Sequence, residues 1–116
     1  MIESHEIIFV EKGMYNIGYE INKKEFLRRQ FGPSTNIGGY QVSTNSRFQF
    51  NYRAWTKMKC LAIRKECYWK LLREFPFFCS QIKIKFWAHY SHEVYQPLVK
   101  LRNVDVLDFN FRKDYK

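Results

Sequence analysis

The sequence has few of the residues that mark disulfide-rich, disordered or membrane-spanning proteins. It contains only 3 cysteines, 3 prolines and 5 glycines among 116 residues. A small and odd number of cysteines argues against a disulfide framework and favours a reducing compartment. The longest apolar runs, residues 7–10 and 75–79, are far shorter than the roughly 18 residues that a membrane-spanning helix needs. The N-terminal residues also lack the basic and apolar regions of a secretory signal.

Acidic residues are scarce as well, with 11 Asp and Glu against 20 Lys and Arg, which gives a net charge of +9. Such a charge favours an anionic partner: nucleic acid, an acidic lipid surface, an acidic protein face or a phosphate ligand. What the sequence does have is apolar and aromatic residues, at 46% and 19% of the chain. The chain is therefore expected to fold as one domain with one modest core.

The first half of the sequence shows the patterns of antiparallel strands. Apolar residues alternate with polar ones, or form short β-branched runs, between turn residues such as Gly13 and Gly32. These patterns predict strands near residues 7–10, 15–21, 26–31, 48–52 and 60–63. Between the third and fourth of these lies a short apolar piece with two adjacent glycines, Gly38 and Gly39, and then a polar stretch that ends at Arg47.

The second half shows the spacing of helices. Apolar residues at helical intervals from Tyr68 to Phe75 predict a helix that Pro76 ends, and a stripe at steps of four predicts a second helix over residues 77–95. Pro97 is expected to kink or restart this helix before a third helical segment. Strands first and helices last predict an α+β domain, with strands in residues 6–63, helices in 64–104 and a charged tail in 105–116.

Several short motifs occur in an order that points to a known fold. They are Glu6-Ile-Ile-Phe-Val-Glu-Lys-Gly13, Ile17-Gly-Tyr-Glu-Ile-Asn22, Ile37-Gly-Gly-Tyr40, Asn45-Ser-Arg47, Ile63-Arg-Lys65 and Glu74-Phe-Pro76. Their order and spacing make residues 6–95 resemble the cyclic-nucleotide-binding domain superfamily, and most of all the cytoplasmic C-terminal domains of ciliate-type voltage-gated potassium or cation channels.

This resemblance implies an antiparallel, jelly-roll-like β-roll followed by C-terminal helices, with a phosphate-binding cassette near residues 37–48. In that family the cassette is a glycine turn, a short helix and an arginine. The anionic cyclic phosphate lies where the helix N-terminus offers N–H groups and where a guanidinium pairs with it. A carboxylate after the glycine usually holds the ribose, and the last helix covers the base.

The resemblance carries over only in part when each position is compared. The family glycine falls on Gly38, but the ribose-binding carboxylate falls on Gly39, which has no side chain. The family arginine falls on Phe48, and Arg47 lies one residue earlier. Each lost contact would cost about 1.5 to 3 kcal/mol, together roughly 100-fold or more in affinity. Weak or no binding of cAMP or cGMP is therefore expected, and no cofactor.

Family members also have further strands before the segment that matches residues 6–10. Without them, the strand at residues 7–10 is expected to have an exposed edge, which is an aggregation hazard unless another segment pairs with it. This leaves two interpretations. Either the chain is a piece of a longer polypeptide, or a partner supplies the missing strands.

Each candidate site residue also has an ordinary structural interpretation. Arg47 contacts phosphate or is a solvated loop arginine, and the two glycines form the cassette turn or a plain bulge. Three aromatic residues of the second helix form a lid over a purine or simply pack in the core: Phe86, Trp87 and Tyr90.

No residues with the spacing of a catalytic or metal site stand out. Cys60, Cys67 and Cys79 match no zinc pattern and are expected to be small buried hydrophobic residues. His89 and His92 are expected on the surface, since no suitable set of further ligands accompanies them. No nucleophile motif with a base is present either, so the sequence predicts neither an enzyme nor a metal site.

These patterns lead to a functional hypothesis and an alternative. The hypothesis is a regulatory module on the cytoplasmic side of a potassium-type cation channel, with the rest of the channel polypeptide or a neighbouring subunit as partner and an acidic protein or lipid surface facing the positive charge. The alternative is a basic structural subunit of a large assembly, with nucleic acid a less favoured partner. Six apolar spans encoded upstream of Met1 would separate the two.

Overall fold

The structure is a computed structural model that describes residues 5–115, and side chains as far as residue 108. Six strands and one short helix come first, and helices follow, which confirms the predicted α+β class. The strands are β1 (Glu6–Lys12), β2 (Tyr15–Ile21), β3 (Lys24–Phe31), β4 (Asn36–Ile37), β5 (Asn51–Ala54) and β6 (Lys59–Arg64). The helices are α1 (Gly39–Thr44), α2 (Lys65–Glu74), α3 (Pro76–His89) and α4 (Gln96–Tyr115), with a π-helical segment (Tyr90–Tyr95) before α4.

The strands form two antiparallel three-stranded sheets, in the orders β4-β1-β6 and β3-β2-β5. The central strands β1 and β2 are consecutive and are joined by a tight turn at Gly13, whose φ is +99°. Glycine is required there because a Cβ would lie 2.5 Å from the carbonyl oxygen of Lys57. The expected exposed edge on residues 7–10 is wrong, since β1 pairs with β6 on one side and β4 on the other.

The main core lies between the sheets and the C-terminal helices. The alternation predicted for residues 15–21 is confirmed, because Tyr15, Ile17 and Tyr19 are all buried on one face. Val10 from β1 joins them, and α4 contributes Leu98, which is fully buried. The long C-terminal helix therefore packs across the roll.

The strand predicted at residues 48–52 begins later than expected, at Asn51. Asn45 ends α1 in the left-handed region with φ of 53°, and its N–H bonds back to the last turn. Residues 45–50 then connect α1 to β5, where pairing with β2 begins. In that interval Phe50 is buried in the core without belonging to a strand.

The helices follow the predicted stripe but not every predicted boundary. The second predicted helix, over residues 77–95, divides into α3 and the π-helical segment, and the chain stays helical through Pro97. A proline lacks an N–H, and its ring would clash with the carbonyl four residues earlier, at Glu93. The wider turn before α4 is the kind of irregularity that relieves such a clash. Helix α4 also runs through residues 105–115, which the sequence assigned to a tail.

The cysteines differ in their surroundings. Cys79 is buried as expected, whereas Cys60 and Cys67 are exposed, contrary to expectation. Cys60 lies on β6, which has a partner strand on only one side among the described residues, and Cys67 lies on an exposed part of α2. Within the described residues, no helix combines the length and apolar character that a membrane span requires.

Candidate functional site

A glycine turn and a short helix lie where the resemblance implies a phosphate-binding cassette. Gly38 is buried, has φ of +91° and precedes the first residue of α1. A side chain is excluded there because a Cβ would lie 2.9 Å from the carbonyl oxygen of Glu6 on β1. The backbone shape of the cassette is therefore present, and the chemistry depends on what surrounds it.

The next glycine is in contact with other parts of the same chain. A Cβ on Gly39 would lie 2.5 Å from Asn36 Oδ1 and 2.6 Å from Phe86 Cδ1. The N–H of Gly39 donates to Asn36 Oδ1 over 3.2 Å. The space that a ribose-binding carboxylate would need is filled by Phe86, and the first amide of α1 already has an acceptor.

The arginine position of the cassette is also filled by an aromatic ring. Phe48 stands at that position, and its Cζ lies 3.3 Å from where a Cβ of Gly38 would be. Its ring meets Tyr52 edge to face at a centroid distance of 5.3 Å. Arg47 lies on the surface. The structure thus brings Gly38, Gly39 and Phe48 together and leaves the side chain of Arg47 exposed.

Side chains from the helices hold α1 in place. Gln41 and Val42 are buried, and Ser43 Oγ shares a 2.8 Å hydrogen bond with the hydroxyl of Tyr68 on α2. Trp69 Nε1 donates to the carbonyl oxygen of Val42 over 3.4 Å. The short helix is therefore fixed by its own chain, with no anion needed to order it.

The three aromatic residues proposed for a lid occupy different environments. Phe86 is buried between the rings of Phe9 and Tyr68, each 6.2 Å away. Tyr90 is buried and stacks on Tyr40, with centroids 4.4 Å apart and planes 5° from parallel. Burial, with Tyr40 close by, raises the pKa of Tyr90 to about 12. Phe86 and Tyr90 therefore pack within the protein, whereas Trp87 is 52% exposed.

A cavity of about 680 Å³ opens between the sheets. Its charged lining residues are Glu20, Glu25 and Arg53, and Arg53 Nε already donates to Glu25 Oε1. Two carboxylates and one engaged guanidinium give a negative lining that opposes a cyclic phosphate. The remaining lining residues are Ile8, Ile37, Phe48, Gln49, Phe50, Asn51 and Tyr52.

Trp87 lines a smaller cavity of about 290 Å³ beside the π-helical segment. Tyr90 and Tyr95 come together there, with ring centroids 6.1 Å apart, although they are five residues apart in sequence. A π-helix bonds residue i to i+5, so its wider turn brings such a pair to one side. Arg47 lines neither of these two cavities.

A polar contact that the sequence analysis missed holds the last helix on the roll. Asp105 of α4 is buried, and it accepts hydrogen bonds from the hydroxyl of Tyr19 on β2 and from Arg28 Nη2 on β3, the latter over 2.9 Å. Burial and the bond to this carboxylate raise the pKa of Tyr19 to about 12. The partners are more than seventy residues apart, so no local pattern could reveal them.

Asn36 was also missed. It accepts from the first N–H of α1 although it lies two residues before the N-cap, Gly38, so the usual capping pattern does not point to it. For metal binding, the described side chains contain no group of three or more His, Cys, Asp or Glu residues with suitable geometry. His89 Nδ1 instead shares a 2.8 Å contact with Glu93 Oε2.

Comparison of the sequence with known protein families finds no match, and neither does comparison with curated proteins. Solved structures do match. The catabolite activator protein of Thermus thermophilus gives a TM-score of 0.63 at 16% identity, over 97% of this chain and 47% of that one. The EAL enzyme Bd1971 in its cAMP-bound form gives 0.58 at 14% identity, over 95% of this chain and 28% of that one. Its cGMP-bound form gives 0.55 at 16% identity, over 95% and 30%.

This chain spans less than half the length of each of these proteins, and at such identities the likeness concerns the fold alone. The chain therefore has the cyclic-nucleotide-binding fold that its sequence motifs implied.

Proposed function

We propose that this chain is a non-catalytic regulatory or interaction module in which a cyclic-nucleotide pocket has been filled by the chain's own side chains. The observation that carries the proposal is the packing of Phe86 against Gly39, where a Cβ would lie 2.6 Å from the ring. A ribose could enter only if this buried ring moved out. Exposing a phenylalanine costs about 1.5 to 3 kcal/mol, in addition to the contacts that Gly39 and Phe48 cannot make.

Calorimetry with cAMP and cGMP tests the nucleotide part of this proposal. We expect no saturable binding up to millimolar nucleotide by the chain, by Arg47→Ala or by Arg73→Ala. Arg73 is an exposed arginine on α2 and provides the matched control. Micromolar binding that disappears in Arg47→Ala and persists in Arg73→Ala would overturn the proposal, because it would mean that a working phosphate site exists.

We propose further that the module belongs to a potassium-type cation channel, on the cytoplasmic side of the membrane. There it would contact the rest of the channel polypeptide or a neighbouring subunit. Support comes from the order of motifs over residues 6–95. The net charge of +9 also suits acidic protein faces or the anionic lipids of a cytoplasmic leaflet.

The same charge favours one alternative, a basic structural subunit of a large assembly. The transcript upstream of Met1 distinguishes the two. We expect a continuous reading frame that encodes six apolar spans. A stop codon in frame shortly before Met1 would reject the channel and leave the assembly subunit.

A further inference from the structure

The cavity beside the π-helical segment is lined by side chains from two distant parts of the chain. Two of them come from α1 and the loop that follows it, Tyr40 and Gln49. The other four come from the end of α3 and from the π-helical segment: Trp87, Tyr90, Ser91 and Tyr95. Its volume of about 290 Å³ lies near the lower limit for small-molecule sites, about 300 Å³. Only Gln49 also lines the cavity between the sheets, so the two cavities are distinct.

Two aromatic rings of this cavity are partly exposed. Trp87 is 52% exposed, and Tyr95 is 41% exposed. Ser91 lies between them, four residues from each, and helical residues at this spacing lie on one face. Because the side chain of Ser91 is short, it leaves space between the two larger rings. All three residues line the cavity, so a ligand that occupied this space would contact aromatic rings.

The protein's own packing keeps the cavity in shape. Tyr90 is buried and stacks on Tyr40, with centroids 4.4 Å apart and planes 5° from parallel. Tyr95 lies beside this pair, 6.1 Å from Tyr90 between ring centroids, and its ring is also near that of Phe50. The aromatic side chains are therefore positioned before any ligand binds, which lowers the entropy that binding would cost.

The cavity also offers polar groups that are not used elsewhere. Three lining residues have side chains that make no hydrogen bond within the described part of the chain: Gln49, Trp87 and Ser91. An amide and a hydroxyl group can both donate and accept, and an indole N–H can donate. None of the described side chains that line the cavity belongs to Lys, Arg, Asp or Glu. The cavity therefore provides hydrogen bonds without providing a charge.

This combination selects the class of ligand. A buried anion or cation needs an opposite charge, and the described lining supplies neither. A neutral sugar ring fits better, because the C–H groups on its faces pack against aromatic rings and the hydroxyl groups around its rim both donate and accept hydrogen bonds. Partly exposed Trp and Tyr side chains supply such contact area at a low cost in conformational entropy.

We propose that this cavity binds a neutral sugar ring, with Trp87 and Tyr95 against its C–H faces and with Gln49 and Ser91 bonded to its hydroxyl groups. The π-helical turn contributes by bringing Tyr90 and Tyr95 to one side, and such turns frequently occur at functional sites. This inference does not depend on whether the nucleotide pocket is silent, because the two cavities have different linings.

Four neutral pyranoses serve as probes: glucose, galactose, mannose and N-acetylglucosamine. We expect at least one to bind with a dissociation constant of about 1 to 10 mM, followed by calorimetry and by saturation transfer from the aromatic protons to the ring C–H groups. Sorbitol has similar hydroxyl groups but no ring, and it should not bind. If no pyranose binds, or if sorbitol binds as well as the best of them, the proposal is wrong.

Two further probes represent other classes of ligand. Adenosine carries a planar base that stacks on aromatic rings, and choline carries a cation that aromatic rings attract. Both should bind more weakly than the best pyranose. If either binds more tightly and competes with that pyranose, the cavity is a site for bases or for cations, and the proposal fails.

Substitution of the exposed ring tests the site from the protein side. Trp87→Ala should weaken binding of the best pyranose about tenfold, whereas Trp87→Phe, which keeps a ring, should weaken it about threefold or less. Trp55→Ala is the matched control, because Trp55 is 67% exposed and lines neither of the two cavities. It should change binding less than about twofold, and equal weakening by Trp55→Ala and Trp87→Ala would contradict the assignment of the site.

A second variant fills the space and leaves the rings in place. Ser91→Leu should weaken binding more than about tenfold, because its larger side chain occupies the gap between Trp87 and Tyr95. Ser80→Leu makes the same change at an exposed position of α3 and should have almost no effect. Circular dichroism checks that both variants stay folded. Unchanged sugar binding by a folded Ser91→Leu would place the sugar elsewhere and overturn the proposal.

Discussion

The two sides of the β-roll differ in how far other parts of the chain cover them. On the cassette side, the glycine turn and α1 are closed in by Phe86, Phe48 and Asn36, and buried side chains hold the short helix. On the side of β5 and β6, residues that should face a core are exposed, and strand edges have no second neighbour among the described residues. On one side, side chains of the chain itself surround the glycine turn, and on the other, strand edges and apolar side chains are uncovered.

This difference separates fold from binding site. At the cassette, the glycine turn and the short helix are present, and packing from Phe86 and Phe48 surrounds them. Backbone groups and apolar side chains are instead uncovered along β5 and β6. The comparison predicts that equal truncations have unequal effects on the two sides, and the following substitutions measure that inequality.

Phe86→Ala should have the largest effect, because Phe86 is buried against Gly39 and the rings of Phe9 and Tyr68. We expect a loss of about 3 to 5 kcal/mol in the free energy of unfolding. Leu61→Ala is the counterpart on the open side, and since Leu61 is 57% exposed, it should cost less than about 0.5 kcal/mol. Urea unfolding followed by circular dichroism measures both, and equal losses would contradict the comparison.

Gly39→Ala should come next, at about 1 to 3 kcal/mol. The new methyl group meets Asn36 Oδ1 at 2.5 Å and the buried ring of Phe86 at 2.6 Å, and neither can move freely. Gly32→Ala is the control, because its nearest neighbour at 2.6 Å is the thioether of Met14, which is the end of a flexible side chain. Thermal unfolding of the two variants should therefore differ, and a tolerated Gly39→Ala would show that the cassette still has room.

Much of the fold followed from local patterns. Alternation in residues 15–21 placed Tyr15, Ile17 and Tyr19 on one face, and steps of four in α3 placed Phe86 on the core side. The pairing of β6 with β1 could not be predicted in this way, because a strand pattern shows which face is buried and not which strand lies beside it. The contact of Asp105 with Tyr19 depends on the same long-range folding.

The position of the candidate site could be predicted from the sequence, but the side chains that fill it could not. The two glycines located the turn, and the shift of the arginine position onto Phe48 indicated lost phosphate chemistry. That Phe86 would fill the space beside Gly39 could not be derived, since a stripe on a helix does not show which residue of the sheet it meets. The bond from Gly39 to Asn36 could not be derived either, because Asn36 lies two residues before the N-cap Gly38 and not at the cap position.

Asp105→Asn tests the attachment of α4, which covers the closed core. We expect a loss of about 1 to 2 kcal/mol, because an amide cannot accept the charge-assisted bond of Arg28 as well as a carboxylate. Asp108→Asn, at an exposed position of the same helix, should have almost no effect. Chemical denaturation of both variants decides the point, and a similar loss in both would mean that helix charge, and not the buried contact, matters.

The same contact predicts a pH dependence. The pKa of Tyr19 is raised from 10.0 to about 12 in the folded protein, by burial and by its bond to Asp105. Its contribution to stability is therefore complete below pH 10 and is lost as the pH rises towards 12. Difference titrations of tyrosinate absorbance against Tyr19→Phe should show a late ionisation that moves to lower pH in Asp105→Asn. An unchanged titration would contradict this assignment.

The smallest effect comes from comparing one kind of hydrogen bond on the two sides. Asn36 Oδ1 accepts from the N–H of Gly39 over 3.2 Å in partly buried surroundings, and Thr56 Oγ1 accepts from the N–H of Met14 over 2.9 Å in exposed ones. Asn36→Ala should cost about 1 kcal/mol, because no water easily replaces the lost acceptor beside Phe86. Thr56→Ala should cost less than about 0.5 kcal/mol, since water can take its place. If Thr56→Ala cost more free energy of unfolding than Asn36→Ala, hydrogen-bond length and not burial would determine the contribution of such a bond to stability. The contrast between the buried cassette and the exposed strand edge would then have no energetic basis.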